Sequence, residues 1–330
     1  NAAHIGGEGL AALRAAIARH VGVSRAVLAS AEDVFITTGS QQAMDLVARV
    51  LLEPGDVVAV EDPGYPPPHR AFASLGARVV GVPVDAEGLV VDALPADAKL
   101  VYVTPSHQFP LGMTMSLSRR QALLDWAERA DACILEDDYD SELRYAGRPL
   151  EPLHNLDHTG RVLYVSSFSK VLLPTLRLGF LVAPPPLHRA FRTAKHVADW
   201  HTEVPVQAAA ANFIETGELL RHVRRMRAVY AQRRQLVLSA LAGELGEYLE
   251  PIPSSAGLHL AAMLRRHGDD QAVARLAAVA GVAVQPLSIF STSAQPPVGL
   301  MLGYGAVPTD RIDEGLDQLL RCLRIVVTSS

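Results

Sequence analysis

Of thirty basic residues in this chain only three are lysines, Lys99, Lys170 and Lys195, and Lys170 stands in SSFSKVLLPTLRLGF among small hydroxyls and apolar side chains. An amine can form a Schiff base with a carbonyl, and a guanidinium cannot. Seven residues on, beyond Pro174, Arg177 offers a rigid fork suited to phosphate. A second segment, TTGSQQA at 37–43, joins a strand pattern to a helix pattern. The free N–H groups and dipole at such a helix start, with Gly39, Ser40 and Gln41, make a phosphate cradle, although an ordinary serine cap is the plain alternative. A third, LEDDYDSE at 135–142, sets five carboxylates within seven residues. The spacing of Asp138, Asp140 and Glu142 hints at a calcium loop, but Leu143 stands where the sharp turn needs glycine and no closing acid follows at the required distance. One carboxylate aimed at a protonated ring nitrogen, with a tyrosine hydroxyl nearby, accounts better for the order of Asp137 and Tyr139.

These residues need a scaffold that brings strand ends together. Apolar runs rich in Val, Ile and Leu recur between helical patterns: DVFITTG, DVVAVED, ARVVGVPV, KLVYVTPS, ACILEDD, RVLYVSS and GFLVAP. Such runs mark buried strands of an α/β sheet. The fold class expected is therefore α/β, a mostly parallel seven-stranded sheet domain with a smaller α+β lobe, and Lys170 falls at a strand's carboxyl end, where ligands bind in open sheets. Between the runs, Ala43, Leu46, Val47, Val50 and Leu51 share one face of a helix over 41–52. A long arginine-studded helix pattern from Thr216 to Leu241 leads out of the sheet, and GLHLAAML and VGLMLGY are strand candidates of the second lobe. At the opening, LRAAIARHVGVSRAVLAS looks like a helix-turn-helix with Gly22 at the turn. A DNA reader needs supporting helices, however, and the chain passes almost at once into FITTG, so a helix packed on the small lobe is preferred.

The whole-chain properties narrow the setting. At 330 residues two lobes are expected, and a net charge of −5 gives no general reason to hold a polyanion. Cys133 and Cys322 are too few for a disulfide framework or cysteine-rich metal site, which fits a reducing compartment. With no long apolar run or leader pattern the chain reads as cytoplasmic. It opens on Asn1, which leaves room for a segment upstream.

A phosphate cradle, an amine, an acid and an aromatic, Tyr65 in EDPGYP, together suit pyridoxal 5'-phosphate. The segments ITTGSQQAMDL, VEDPGYP, VTPSHQFPLG, LEDDYDSELRY and SSFSKVLLPTLRLGF also resemble the fold-type I, aminotransferase-like pyridoxal-phosphate proteins, and within them the MocR subgroup of GntR-family transcription regulators, over nearly the whole chain. The resemblance implies that Lys170 bonds the cofactor's aldehyde, Asp137 pairs with its ring nitrogen and Tyr139 with its ring hydroxyl. It implies that Gly39, Ser40, Gln41, Ser167 and Arg177 hold the phosphate and that Tyr65 stacks on the ring. It further implies a homodimer, a large domain over 30–215, and a small domain built from both chain ends, 1–29 and 216–330.

Two positions depart from a working aminotransferase. Where the family's asparagine touches the ring hydroxyl this chain has Phe109, with His107 and Gln108 just before it, and His107 is a candidate substitute. Where a small-lobe arginine grips the substrate carboxylate, the best match is Met301, which cannot form a bidentate bond, although Arg144 or Arg148 could bring charge from elsewhere. The expected function is an effector-sensing domain of a MocR-type regulator, responding to the cofactor or an amino compound, with DNA bound only through an upstream winged helix-turn-helix. The alternatives are a stand-alone aminotransferase acting on an amino acid and a 2-oxoacid, and a cofactor-free dimerisation scaffold.

Overall fold

The computed structural model describes residues 6–328 except 149 and 267. All seven expected strands form and belong to one sheet: β1 (Val34–Thr37), β2 (Val57–Asp62), β3 (Arg78–Asp85), β5 (Ala98–Val103), β6 (Cys133–Asp137), β7 (Val162–Ser167) and β8 (Gly179–Val182). The sheet has an eighth member, β4 (Gly88–Leu89), a two-residue antiparallel partner of β3 too short to leave a periodic signal. Strand order is β1-β8-β7-β6-β5-β2-β3-β4, with β3, β2, β5, β6 and β7 mutually parallel and β8 antiparallel to both β7 and β1. Both faces are covered. Phe35, Val47, Val58, Tyr102 and Leu163 fill one core cluster, and Ala59, Val101, Ile134 and Val162 another. Outside the more exposed β3, that double burial is why these strands read as unbroken apolar runs rather than alternating ones.

The N-terminal segment corrects two expectations. Ala11–Arg25 is a single helix that contains Gly22, Ser24 and Arg25, ended by Ala26 in a left-handed conformation, so there is no turn and recognition helix there. Nor does it pack on the small lobe. Leu13, Ile17 and Val21 bury against Ile36, Tyr164 and Phe180 of the large sheet and against Ala211 and Leu219 of the helices that follow it. An amphipathic stripe announces that one face is buried but not against what.

The smaller lobe is a four-stranded antiparallel sheet, β9 (Leu249–Pro251), β10 (His259–Leu264), β11 (Gln285–Pro286) and β12 (Gly299–Gly303), in the order β11-β12-β10-β9. Its core joins Leu260, Leu300 and Leu302 to Leu319 and Leu323 of the helix Ile312–Thr328. The helix Glu218–Ala242 connects the lobes: Leu219 and Val223 near its start belong to the large-lobe core, and Val237 and Leu241 near its end to the small. Among the described residues, no helix is long and apolar enough to cross a membrane.

Candidate cofactor site between the lobes

The carboxyl ends of the parallel strands and one face of the small sheet enclose a cavity of about 560 Å³. Lys170 reaches it from the turn after β7. The turn is held by Phe168 N–H donating to the Leu178 carbonyl and by the burial of Phe168 and Val171, which leaves Lys170 itself accessible. Ser167 and Ser169 line the cavity beside it.

Arg177 and the start of the helix Ser40–Leu51 form a second wall. Gly39 caps that helix at φ +79°, a conformation that L side chains avoid, and a Cβ there would lie 2.9 Å from an Arg177 guanidinium nitrogen. The guanidinium donates to the Thr38 carbonyl at 3.1 Å. Gly39 does not itself line the cavity; its turn presents Ser40 and Gln41, which do. The first N–H groups of a helix have no partner within it, so this corner combines unsatisfied donors, a positive dipole end and a guanidinium.

The acidic run distributes its carboxylates among separate partners. Glu136 accepts from the Leu153 and His154 N–H groups, and Asp138 pairs with Arg25 at 2.7 Å and accepts from the Tyr164 hydroxyl at 2.6 Å. Glu142 meets His20 at 2.7 Å. Against the upward push of burial, Arg25 and Tyr164 hold Asp138 below the usual carboxylate range. Of this run Asp137 lines the cavity, whereas Glu136, Asp138 and Glu142 are not among its lining residues. Asp137 Oδ2 accepts from the Tyr102 hydroxyl at 2.8 Å, but Oδ1 is buried with no hydrogen-bond partner among the described residues. Burial pushes this carboxyl up to about 7 against the Tyr102 hydrogen bond, and Asp138 and Asp140 add to the rise.

The remaining expected residues divide. Tyr65 and Tyr139 line the cavity, Tyr65 edge-on to Phe109 with centroids 5.2 Å apart. His107 does not reach it. The ring is buried behind Tyr139, with Nδ1 2.9 Å from both Asp140 Oδ2 and the Tyr139 hydroxyl and Nε2 3.1 Å from Ser254 Oγ. In this position His107 links the acidic loop to the small lobe. Arg144 and Arg148 are not among the residues lining the cavity; Arg144 lies in another groove with Arg224 and Arg227. Sequence reasoning missed Tyr102, Thr104, Asp140, Leu258 and His259, all at the cavity. Tyr102 and His259 sit inside apolar strand runs, and only pairing register decides which way they face. His259 Nε2–H donates to the Pro110 carbonyl at 3.0 Å, and burial and the neighbouring His107 push it down to about 3, so it is neutral.

The family description "Aminotransferase class I and II" matches residues 3–319. The chain belongs to the class I and II aminotransferase family. Within that family its likenesses run in two directions. It is 38% identical over 308 residues to the probable rhizopine catabolism regulatory protein MocR of Rhizobium meliloti, covering 93% of this chain and 62% of that protein. It is 33% identical over 327 residues to aromatic-amino-acid aminotransferase 1 of Thermococcus litoralis, covering 96% of this chain and 78% of that enzyme. The solved α-aminoadipate aminotransferase LysN of Thermus thermophilus, complexed with N-(5'-phosphopyridoxyl)-L-leucine, superposes with a TM-score of 0.88 at 32% identity, covering 98% of this chain and 83% of that one. This chain thus spans less than two thirds of the length of the MocR relative and about four fifths of the enzymes.

The cofactor indicated for this aminotransferase-family chain is pyridoxal phosphate. The cavity fits it: a buried carboxylate oxygen lacks a donor, an accessible amine stands beside it, and a glycine turn opens a helix start next to a guanidinium.

Proposed function

We propose that this chain is the cofactor-holding, effector-sensing domain of a MocR-type transcription regulator, acting as a homodimer, with DNA contacted through a separate winged helix-turn-helix module. Pyridoxal phosphate, when bound, supplies an amine-reactive aldehyde and a protonated ring that draws electrons from attached groups. Lys170 is the amine that holds it. Asp137, whose Oδ1 lacks a partner, would pair with the protonated ring nitrogen. The helix start at Ser40 and Gln41, with Ser167 and Arg177, takes the phosphate. Tyr65 would stack on the ring and Tyr139, oriented by its hydrogen bonds to His107, would meet the ring hydroxyl. Because the cavity is walled by both lobes, an occupant that touches Leu258 and Met301 as well as Lys170 biases their spacing, which is the movement a regulator needs to pass on.

The observation that carries this reading over catalysis is Met301. It lies on β12 between the buried Leu300 and Leu302, so strand alternation turns it to the opposite face, where it lines the cavity at the wall facing Lys170's lobe. Among the described residues no guanidinium stands there to hold a substrate carboxylate in reactive register, and that positioning accounts for much of the rate in bound-substrate chemistry. The test is the mass of the native gene product in its own cell extract, detected with an antibody to this segment. A product larger by about one small domain, on the order of 50 or more residues, supports the regulator. A product of this chain's size, together with multiple-turnover exchange between an amino acid and a 2-oxoacid, would establish the enzyme instead.

A further inference from the structure

We infer that the ligand selected by this site is a primary amine without a carboxylate, an inference that rests on the cofactor-holding reading above and narrows it. Among the described residues that line the cavity, Lys170 and Arg177 are the only cations. Both are committed under that reading, Lys170 to the aldehyde and Arg177 to the phosphate corner where it packs on Gly39. What remains toward the small lobe is Phe109, Leu258, Met301 and neutral His259. Met301 packs into an apolar cluster with Leu111, Leu287 and Phe290. Two hydroxyls of the lining already donate elsewhere: Thr104 to Glu61 at 2.5 Å, and Tyr139 to the His107 carbonyl at 2.9 Å.

The local charge runs against an anion as well. Asp140 lines the same cavity, is buried, and has one oxygen on His107 and the other without a partner. A ligand carboxylate placed between Met301 and Asp140 would lose its water, gain no ion pair and face a like charge, each of which disfavours it. An amine whose carbon carries hydrogen or an uncharged group there packs on Met301 and brings no like charge to Asp140.

Matched pairs that differ by one carboxylate isolate this feature: phenylethylamine against phenylalanine, and ethanolamine against serine. Binding to the cofactor-loaded chain is measured by titration calorimetry, with the visible absorption band recorded in parallel. The expected result is that the amine of each pair binds at least about tenfold more tightly than its amino acid. Met301→Arg should raise amino-acid affinity by about ten- to a hundredfold, the range of a charge-assisted hydrogen bond, and leave the amines within about threefold. Loaded wild-type chain that prefers the amino acids, or that binds neither member of either pair, overturns the inference while the cofactor site stands. A chain that never develops a cofactor band overturns the reading beneath it. The wild-type comparison decides the matter even if Met301→Arg does not fold.

Discussion

Asp137 and Glu61 are the two carboxyls whose protonation the fold alters most usefully. Burial pushes each up to about 7, Asp137 against its Tyr102 hydrogen bond and Glu61 against hydrogen bonds from Thr104 and Gln108. Each folded-state value lies above the ordinary one, so the folded chain holds protons that the unfolded chain has released. Their contribution to stability is complete below about pH 4 and is lost as pH rises toward 7. Asp137→Asn should remove its share: denaturant midpoints of the cofactor-free protein at about pH 5 and pH 7.5 should show the variant gaining relative to wild type at the higher pH. The same substitution should weaken cofactor binding by tenfold or more, because asparagine cannot pair with a protonated ring nitrogen. Arg25 offers a test at the neighbouring carboxylate. The pair it forms with Asp138 is almost wholly buried, at 5% and 1% side-chain exposure, so Arg25→Ala strands a buried anion and should cost about 3–5 kcal/mol in equilibrium unfolding.

Elements place these residues, and the best case is the turn between β1 and the helix Ser40–Leu51. Gly39→Ala would meet both a strained φ and the Arg177 guanidinium, so phosphate affinity should fall more than stability does, as read by cofactor titration beside a thermal melt. A similar contact seals the rear of the site. A Cβ on Gly257, at φ +89°, would lie 2.1 Å from His107 Cε1, and Gly257→Ala should therefore displace the His107 link to Ser254 and lower the melting temperature by several degrees. How far such elements could be read beforehand follows from what each exposes to a pattern. Six of the seven expected strands were legible because burial on both faces leaves continuous apolar runs, and the more exposed β3 because its valines still cluster. The β4 hairpin was not, because two residues carry no period. Lys170, Asp137, Tyr139, Ser40 and Arg177 were legible as chemistry at strand ends, and the structure brings them to one cavity. The placement of His107 was not legible because a histidine at a strand end looks the same whether it faces a cavity or a neighbouring carboxylate. Tyr102 and His259 were invisible for a related reason, since a polar tip within an apolar strand gives no sign of which face it joins.

At the scale of the molecule, one helix serves both cores and one cavity is shared by both lobes. The helix Glu218–Ala242 contributes Leu219 to one core and Leu241 to the other, so a change in lobe spacing must bend it or shift its packing. The N-terminal helix, tied to the acidic loop by Arg25 and His20, adds the first part of the chain to the cofactor's own neighbourhood. A module joined ahead of that helix would be connected to the site through one buried and one part-buried polar contact. These links all presuppose that the cavity holds its cofactor through Lys170, and a spectrum tests that most directly. Purified chain should be titrated with pyridoxal phosphate beside Lys170→Ala and followed in the visible range. The account predicts a new absorption band in the wild type and none in the variant, with both proteins equally folded by circular dichroism. An identical spectrum from the two would contradict it.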